Sequence, residues 1–308
     1  MRETYLKKES RENKQLPKVK INQMRQVNAN GLLIPALGQG GWRIGDDPAR
    51  AESEIAAIRR GIELGANLID TAEMYGGGRS ELLIGRALRG IPRDKYILVS
   101  KVYPHNADRN NMFKSCEASL RRLGTDYLDL YLLHWRGSVP LEETVWCMEK
   151  LVREGKIRRW GVSNFDTPDM QELWQIPGGK NCAVNQVLYN ITSRGIEYDL
   201  IPWCEEHNVA IMAYCPLAQA GSLRRMNVDV RTEPTIAAVA QKYGATVMQV
   251  MLAFVLKKSC VCAIPKAGSV AHIEENVAAT QLEIADEDWG MLDCVYWPPS
   301  CKMHLDIE

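Results

Sequence analysis

The stretch NLIDTAEMYGGGRSELLIGRALRG, residues 67–90, contains one complete unit of the fold. It begins with a short apolar run, Asn67–Asp70, which is too short for a helix and is typical of a buried strand. Three glycines, Gly76–Gly78, then indicate a loop. The segment SELLIGRALRG, residues 80–90, has the apolar spacing of an amphipathic helix. The stretch therefore predicts a strand, a glycine loop and a helix in succession.

The same alternation of a short apolar run and an amphipathic segment recurs along the chain. In order, the predicted strands are ALGQGGW, NLID, YILVSKV, YLDLYLLHW, IRRWGVSN, AVNQVLYN, VAIMAYCPL and VCAIPKAG. These runs lack the regular alternation of a half-exposed sheet, as expected of parallel strands that are buried on both faces. Eight strand–helix units in one chain predict a closed α/β structure, a single (β/α)8 TIM barrel, rather than an open sheet.

A β-hairpin is predicted ahead of the first unit. In QVNANGLLIPAL, residues 26–37, the pair Asn30 and Gly31 separates two short extended segments. Asn-Gly between such segments is the strongest short-range signal for a hairpin. We expect this N-terminal hairpin to cover the bottom of the barrel.

The composition favours one globular domain without a charged partner surface. Lys and Arg number 38, equal to Asp and Glu, and 46% of residues are apolar, with no run of membrane-spanning length. We therefore expect a monomer that binds neither nucleic acid nor membrane. Residues 1–23 are polar and lack the apolar segment of a secretory signal, which predicts a disordered arm before a barrel domain at 24–308. Nine cysteines without a regular framework favour reduced thiols in a cytoplasmic protein.

Four titratable side chains follow three neighbouring predicted strands. Asp70 and Tyr75 come after the second strand, Lys101 ends the third and His134 ends the fourth. Each has an ordinary structural explanation, respectively a turn cap, a packing residue, a solvated strand end and a core histidine. The active sites of such barrels lie at the C-terminal ends of the strands. We therefore expect the four side chains to converge on one pocket.

These four residue types together can transfer a proton. A phenol titrates near pH ~10, and the Lys101 ammonium is expected to lower the pKa of Tyr75. Asp70 could hold Lys101 charged, and His134 could orient a substrate oxygen. Tyr75 would then protonate a carbonyl oxygen, while a nicotinamide cofactor supplies hydride. Metal-ligand motifs and a G-x-S-x-G elbow are absent from the sequence, so no metal is expected.

Several motifs resemble those of the aldo-keto reductase family. They are NGLLIPALGQGGW, DTAEMYGGGRSELLIGRAL, SLRRLGTDYLDLYLLHW, GKIRRWGVSNF and IPKAGSVAHIEENV. The resemblance extends from about Arg25 to the C-terminus. It implies a tetrad of Asp70, Tyr75, Lys101 and His134, in which the tyrosine donates the proton. It also implies NADPH-dependent reduction of aldehydes or ketones to alcohols, with NAD(H) as an alternative coenzyme.

The resemblance further implies that NADP(H) binds across the barrel mouth without a Rossmann fold. This agrees with the sequence, because GQGGWR places Arg43 where G-x-G-x-x-G requires glycine. The implied cofactor residues are Gly41, Trp42, Ser163, Asn164, Gln186, Tyr214, Pro216, Leu217, Lys266, Ser269, His272, Glu275 and Asn276. Of these, Ser163, Asn164 and Gln186 would hold the carboxamide, and Tyr214 would stack on the nicotinamide. An ordinary helix N-cap is the alternative explanation for Ser163 and Asn164.

Two departures from the family pattern concern the end that binds the adenosine 2′-phosphate, where Lys266 and Ser269 are expected to act. Ala267 stands where serine is common, and His272 stands where many members have arginine. An imidazole binds phosphate less strongly than a guanidinium does, so we expect a weakened preference for NADPH over NADH. Arg224 and Arg225 could compensate.

The substrate site is expected to be aromatic and open. Trp42, Tyr75, His134 and Trp135 are its predicted lining, and short loops around it favour small aldehydes or dicarbonyls. Two other functions remain open at this stage. One is a cofactor-binding redox-sensing or partner subunit of the same fold, and the other is an aldolase that forms a Schiff base at Lys101.

Overall fold

Eight parallel strands form the centre of the protein in a computed structural model that describes residues 24–221 and 229–308. The strands are β3 (Gln39–Gly40), β4 (Leu68–Asp70), β5 (Ile97–Val102), β6 (Leu128–Leu133), β7 (Ile157–Ser163), β8 (Cys182–Leu188), β9 (Ala210–Tyr214) and β10 (Val261–Ala263). Each pairs with the next along the chain. A bridge between Leu37 and Ala263 joins the two edges of the sheet, and the predicted (β/α)8 barrel is thereby confirmed.

Helices follow the strands as predicted. They are α1 (Ala51–Glu63), α2 (Arg79–Leu88), α3 (Met112–Leu123), α4 (Leu141–Arg153), α5 (Thr167–Gln175), α6 (Leu200–Glu206), α7 (Ala218–Gly221), α8 (Pro234–Lys242), α9 (Val247–Leu256), α10 (Val270–Ala279) and α11 (Asp286–Asp293). The short α7 had no signal in the sequence. The first strand is shorter than predicted, since only two residues of ALGQGGW form β3.

The unit at residues 67–90 illustrates how the sequence builds each strand–helix pair. All three residues of β4 are buried, because its two faces pack against the barrel interior and the helices. Gly76, Gly77 and Gly78 have φ values of +57°, +62° and +92°, a region that favours glycine. These three residues turn the chain so that α2 packs its apolar face, including Leu83 and Ile84, against the barrel.

The predicted hairpin is confirmed and closes the N-terminal end of the barrel. It pairs β1 (Gln26–Ala29) with β2 (Leu32–Pro35), and Asn30 and Gly31 both have positive φ, as a type I′ turn requires. The Asn30 backbone N–H donates to the carbonyl of Asn208 at 3.2 Å, just before β9 begins. Hairpin side chains also pack on the lower barrel interior.

The predicted arm at residues 1–23 and the pair Arg224 and Arg225 lie outside the described residues. All nine cysteines lie within the described residues, and none of them forms a disulfide. No single described helix is long and apolar enough to cross a membrane, although α8 and α9 meet that test jointly across an 87° bend.

Candidate active site

Lys101, at the end of β5, is the centre of the site. Its side chain is fully buried, and its ammonium donates three hydrogen bonds. The acceptors are Asp70 Oδ2 at 2.7 Å, the Thr71 carbonyl at 2.9 Å and the Tyr75 hydroxyl at 3.0 Å. An ammonium has three N–H donors, so the donor capacity of Lys101 is fully used.

Asp70, at the end of β4, is held from two sides. Oδ2 accepts the bond from Lys101, and Oδ1 accepts one from Gln186 Nε2 at 2.8 Å. Burial raises the pKa of Asp70 and lowers the pKa of Lys101, and their mutual attraction opposes both shifts. A buried charge is tolerated only when it is paired and hydrogen-bonded, and both conditions are met here.

Tyr75 lies at the start of the glycine loop with its hydroxyl against Lys101. Burial, and then the charge of Asp70, raise the pKa of Tyr75 well above its ordinary value. The expectation of a pKa below that of a free phenol is therefore wrong in this structure, because desolvation of the phenolate and the Asp70 charge both raise it. The phenol is protonated at neutral pH and can donate a proton.

His134 follows β6 and faces Tyr75, with 5.6 Å between the two ring centroids. Its side chain is buried, and Nδ1 has no hydrogen-bond partner. Burial, with a smaller contribution from the Lys101 charge, lowers the pKa of His134 to about 2. The imidazole is therefore neutral at physiological pH and carries one N–H donor.

Two tryptophans flank this cluster at the barrel mouth. The Trp42 ring lies 5.0 Å from that of Tyr75, and the Trp135 ring lies 5.0 Å from that of His134. Trp42 is 50% exposed and Trp135 is 37% exposed. Together with Tyr103, whose ring is 6.0 Å from that of Trp135, they form an aromatic rim open to solvent.

The residues predicted to hold the nicotinamide lie beside His134. Asn164 Nδ2 donates to the His134 carbonyl at 3.3 Å, and Tyr214 donates its hydroxyl proton to Asn164 Oδ1 at 2.9 Å. Ser163 Oγ donates to the backbone carbonyl of Gln186 at 2.8 Å. The helix-cap explanation for Ser163 and Asn164 is wrong, because Asp166 provides the N-cap of α5.

Pro216 and Leu217 lie between β9 and α7, where the backbone is unusual. Cys215 and Ala218, which flank them, have φ values of +49° and +46°. This left-handed region is costly for residues other than glycine and is common at ligand-binding sites.

The residues predicted to bind the adenosine end form a separate group around the start of α10. Ser269 is the N-cap of this helix, and its Oγ accepts the His272 backbone N–H at 3.3 Å. Glu275 accepts a bond from the Thr246 hydroxyl, and Asn276 Nδ2 is buried without a partner. Lys266 lies 3.3 Å from Glu54.

The two groups are joined through the neighbouring ends of β3 and β10. The Gly40 backbone N–H donates to the Pro265 carbonyl at 3.0 Å, which places the ends of β3 and β10 side by side. At Gly41 any Cβ would lie 2.5 Å from the Asp70 carbonyl, so only glycine fits between the strand ends. Each of the two groups contains one buried side-chain nitrogen without a hydrogen-bond partner, His134 Nδ1 in the first and Asn276 Nδ2 in the second.

Sequence reasoning missed three of these interactions. It gave no indication that Gln186 bonds Asp70, that the Thr71 carbonyl accepts from Lys101, or that Glu54 pairs with Lys266. Of the three interactions, only the pairing of Glu54 with Lys266 had a signal in the sequence. Glu54 lies at helical spacing with Ala57, on the buried face of α1, and an acid on an apolar helix face requires a partner.

A closed (β/α)8 barrel with a buried lysine–aspartate–tyrosine cluster at its C-terminal mouth defines a class of barrel oxidoreductases. The particular family follows from sequence comparison: the model of the Aldo/keto reductase family matches residues 36–296. The chain belongs to this family and is an oxidoreductase.

Two relatives and one solved structure are similar to this chain over most of its length. Methylglyoxal reductase YeaE of Escherichia coli (strain K12) is 52% identical over 286 residues, covering 92% of this chain and 99% of the relative. Methylglyoxal reductase DkgB of Escherichia coli O157:H7 is 30% identical, with 85% and 94% covered. A crystal structure of an aldo-keto reductase from Klebsiella pneumoniae in complex with NADPH has a TM-score of 0.89 and 51% identity, with 92% and 99% covered.

Proposed function

We propose that this protein reduces small aldehydes and α-dicarbonyl compounds with NADPH, and that methylglyoxal is its first candidate substrate. The observation that carries this proposal is the 3.0 Å hydrogen bond from Lys101 to the Tyr75 hydroxyl. The phenol that this bond polarises lies beside the neutral imidazole of His134, at an aromatic rim open to solvent. The names of the two methylglyoxal reductases above support the substrate.

In the proposed reaction Tyr75 is the proton donor. A substrate carbonyl oxygen would accept hydrogen bonds from the Tyr75 hydroxyl and from the N–H of neutral His134. As negative charge develops on that oxygen, the phenol proton transfers to it. Lys101 stabilises the phenolate that remains, because its ammonium already donates to this oxygen. Asp70 keeps Lys101 charged and fixed.

The cofactor contacts are also proposals. Bound NADPH would supply hydride to the carbonyl carbon. Asn164, Ser163 and Gln186 would position its carboxamide, and Tyr214 would pack on the nicotinamide ring. Gln186 has a second task, since its amide nitrogen donates to Asp70. Lys266 and Ser269 would receive the 2′-phosphate at the start of α10.

The hydrogen bonds of Lys101 argue against an aldolase. A Schiff-base lysine must be a free amine with its lone pair directed at substrate. Here the nitrogen donates to three acceptors and the side chain is fully buried. The partner-subunit alternative was motivated by residues 1–23, which lie outside the described residues, and it remains a hypothesis.

The test is NADPH oxidation with methylglyoxal and a panel of small aldehydes, comparing the wild type with Tyr75→Phe. Loss of a general acid should lower kcat by about 100-fold or more. Tyr131→Phe is the matched control, because Tyr131 is buried in β6 and its hydroxyl has no hydrogen-bond partner. Equal turnover by Tyr75→Phe and the wild type would refute the assignment of the proton donor. Tight NADPH binding without turnover of any carbonyl would favour the partner-subunit alternative.

A further inference from the structure

A buried carboxylate accompanies the lysine at the adenosine end of the site. Glu54 lies on the inner face of α1, and its side chain is only 1% exposed. Its Oε1 is 3.3 Å from Lys266 Nζ, and its Oε2 accepts the Gly45 backbone N–H at 2.9 Å. Across residues 24–221 and 229–308, Lys266 is the only cation within salt-bridge distance of Glu54. Glu54 therefore connects the loop after β3 with the loop after β10.

The position of Lys266 makes this pairing relevant to ligand binding. Its Nζ lies 3.5 Å from the place where a Cβ on Gly268 would be, immediately before the Ser269 N-cap of α10. The N-terminus of a helix carries partial positive charge and free N–H groups, so it attracts anions. The Lys266 ammonium and this helix end thus point to one anion site, and Glu54 is a negative charge on its inner side.

We propose that Glu54 sets the coenzyme selectivity of this enzyme by neutralising Lys266, an inference that rests on the proposed NADPH-dependent function. A 2′-phosphate at this site competes with Glu54 for the same ammonium. The carboxylate cannot turn away, because it is buried and anchored to Gly45. The net attraction for the phosphate is therefore weaker than an unpaired lysine would give.

The consequence differs between the two coenzymes. NADH has no 2′-phosphate, so the charge of Glu54 has little effect on its binding. NADPH loses part of the attraction that normally favours it. The imidazole of His272 adds to this effect, since it carries no fixed charge. The enzyme should therefore accept both NADPH and NADH, with a ratio set by Glu54.

The test is the substitution Glu54→Gln in the full-length chain. Glutamine has the same shape and can still accept the Gly45 N–H, but it carries no charge. Calorimetric titration with 2′,5′-ADP and with 5′-AMP isolates the 2′-phosphate without any turnover. We expect 2′,5′-ADP to bind at least about threefold more tightly to Glu54→Gln than to the wild type, because a unit charge about 6 Å away has this effect even at the dielectric constant of bulk water. Binding of 5′-AMP should change by less than about twofold, and the gain should shrink at high salt.

Glu52→Gln is the matched control. Glu52 lies on the same helix, but its side chain is 83% exposed and pairs with Arg86. The substitution Glu52→Gln removes one negative charge from α1, as Glu54→Gln does, but leaves the surroundings of Lys266 unchanged. Both nucleotides should therefore bind to it as they bind to the wild type.

Several results would overturn the proposal. Equal changes for the two nucleotides, or weaker binding of 2′,5′-ADP, would mean that Glu54 only positions Lys266. If Glu54→Gln does not fold, Lys266→Gln provides a second test. There the unpaired Glu54 charge faces the phosphate, so the preference for 2′,5′-ADP over 5′-AMP should be weaker than in Lys266→Gln/Glu54→Gln, and equal preferences in these two variants would contradict the proposal. A wild type that binds neither nucleotide would instead refute the proposed function itself.

Discussion

Replacing His134 with glutamine should remove much of the acid sensitivity of this protein. Burial, and then the Lys101 charge, lower the pKa of His134 from its ordinary value of 6.5 to about 2. Below about pH 6.5 the unfolded chain takes up a proton at this residue, whereas the folded protein does not. Because the unfolded state then binds more protons, the free energy of unfolding decreases as the pH falls.

The magnitude follows from the size of the shift. Each pH unit below about 6.5 lowers the free energy of unfolding by about 1.4 kcal/mol through His134 alone. Between about pH 6.5 and pH 5 the loss is therefore about 2 kcal/mol, and it continues toward the folded-state pKa. Burial raises the pKa of Asp70, so that ionisation of Asp70 works in the opposite direction and lowers stability as the pH rises. Asp70 is present in both proteins, and comparing them isolates His134.

The assay is urea unfolding of wild type and His134→Gln at about pH 7 and about pH 5. Glutamine keeps an N–H donor but does not titrate, so the variant should lose about 2 kcal/mol less than the wild type over this range. His105→Gln is the control, since His105 is exposed and its replacement should leave the wild-type dependence unchanged. Equal losses of stability in wild type and His134→Gln would refute the assignment of a neutral, desolvated histidine.

Further predictions concern the buried ion pair, a strand-end glycine and the aromatic rim. Lys101→Met should lower the free energy of unfolding, measured in urea, by about 3–5 kcal/mol, because Asp70 is left buried without its cation. Adding Asp70→Asn should restore most of the lost stability. A double variant as unstable as Lys101→Met would contradict the argument. Gly41→Ala should lower kcat/KM by about 100-fold, since its Cβ would meet the Asp70 carbonyl at 2.5 Å. Gly290→Ala, where nothing lies within 4 Å, is its tolerated control. Trp42→Ala should raise the KM for aldehydes by about tenfold. The free energy of unfolding should change little, because Trp42 is 50% exposed. An unchanged KM would show that Trp42 does not contact the substrate.

Local sequence patterns were sufficient to predict the architecture. Strand length, helical spacing and loop glycines act within a few residues of one another, so residues 67–90 specify a strand, a turn and a helix without reference to the rest of the chain. Asn30 and Gly31 likewise specify a hairpin through their own backbone preferences. The polar residues at the strand ends could be placed at one mouth, because parallel strands of a barrel end together.

The chemical state of the site was decided by the tertiary structure. Whether Tyr75 is made more or less acidic depends on two opposing effects, the nearby ammonium and the loss of water. Only the folded chain shows that burial prevails. The sequence could suggest the neighbour but not the degree of desolvation, and the predicted direction of the shift was wrong for that reason.

The pairing of distant side chains was also decided only in the folded protein. Asp70 and Gln186 are 116 residues apart, and Glu54 meets Lys266 only because the barrel closes between its first and last strands. The sequence by itself determined the barrel, its hairpin and the set of reactive residues at its mouth. Which of those residues bond to each other, and with what charge, was determined by tertiary structure, because both depend on distances and burial that no local pattern encodes.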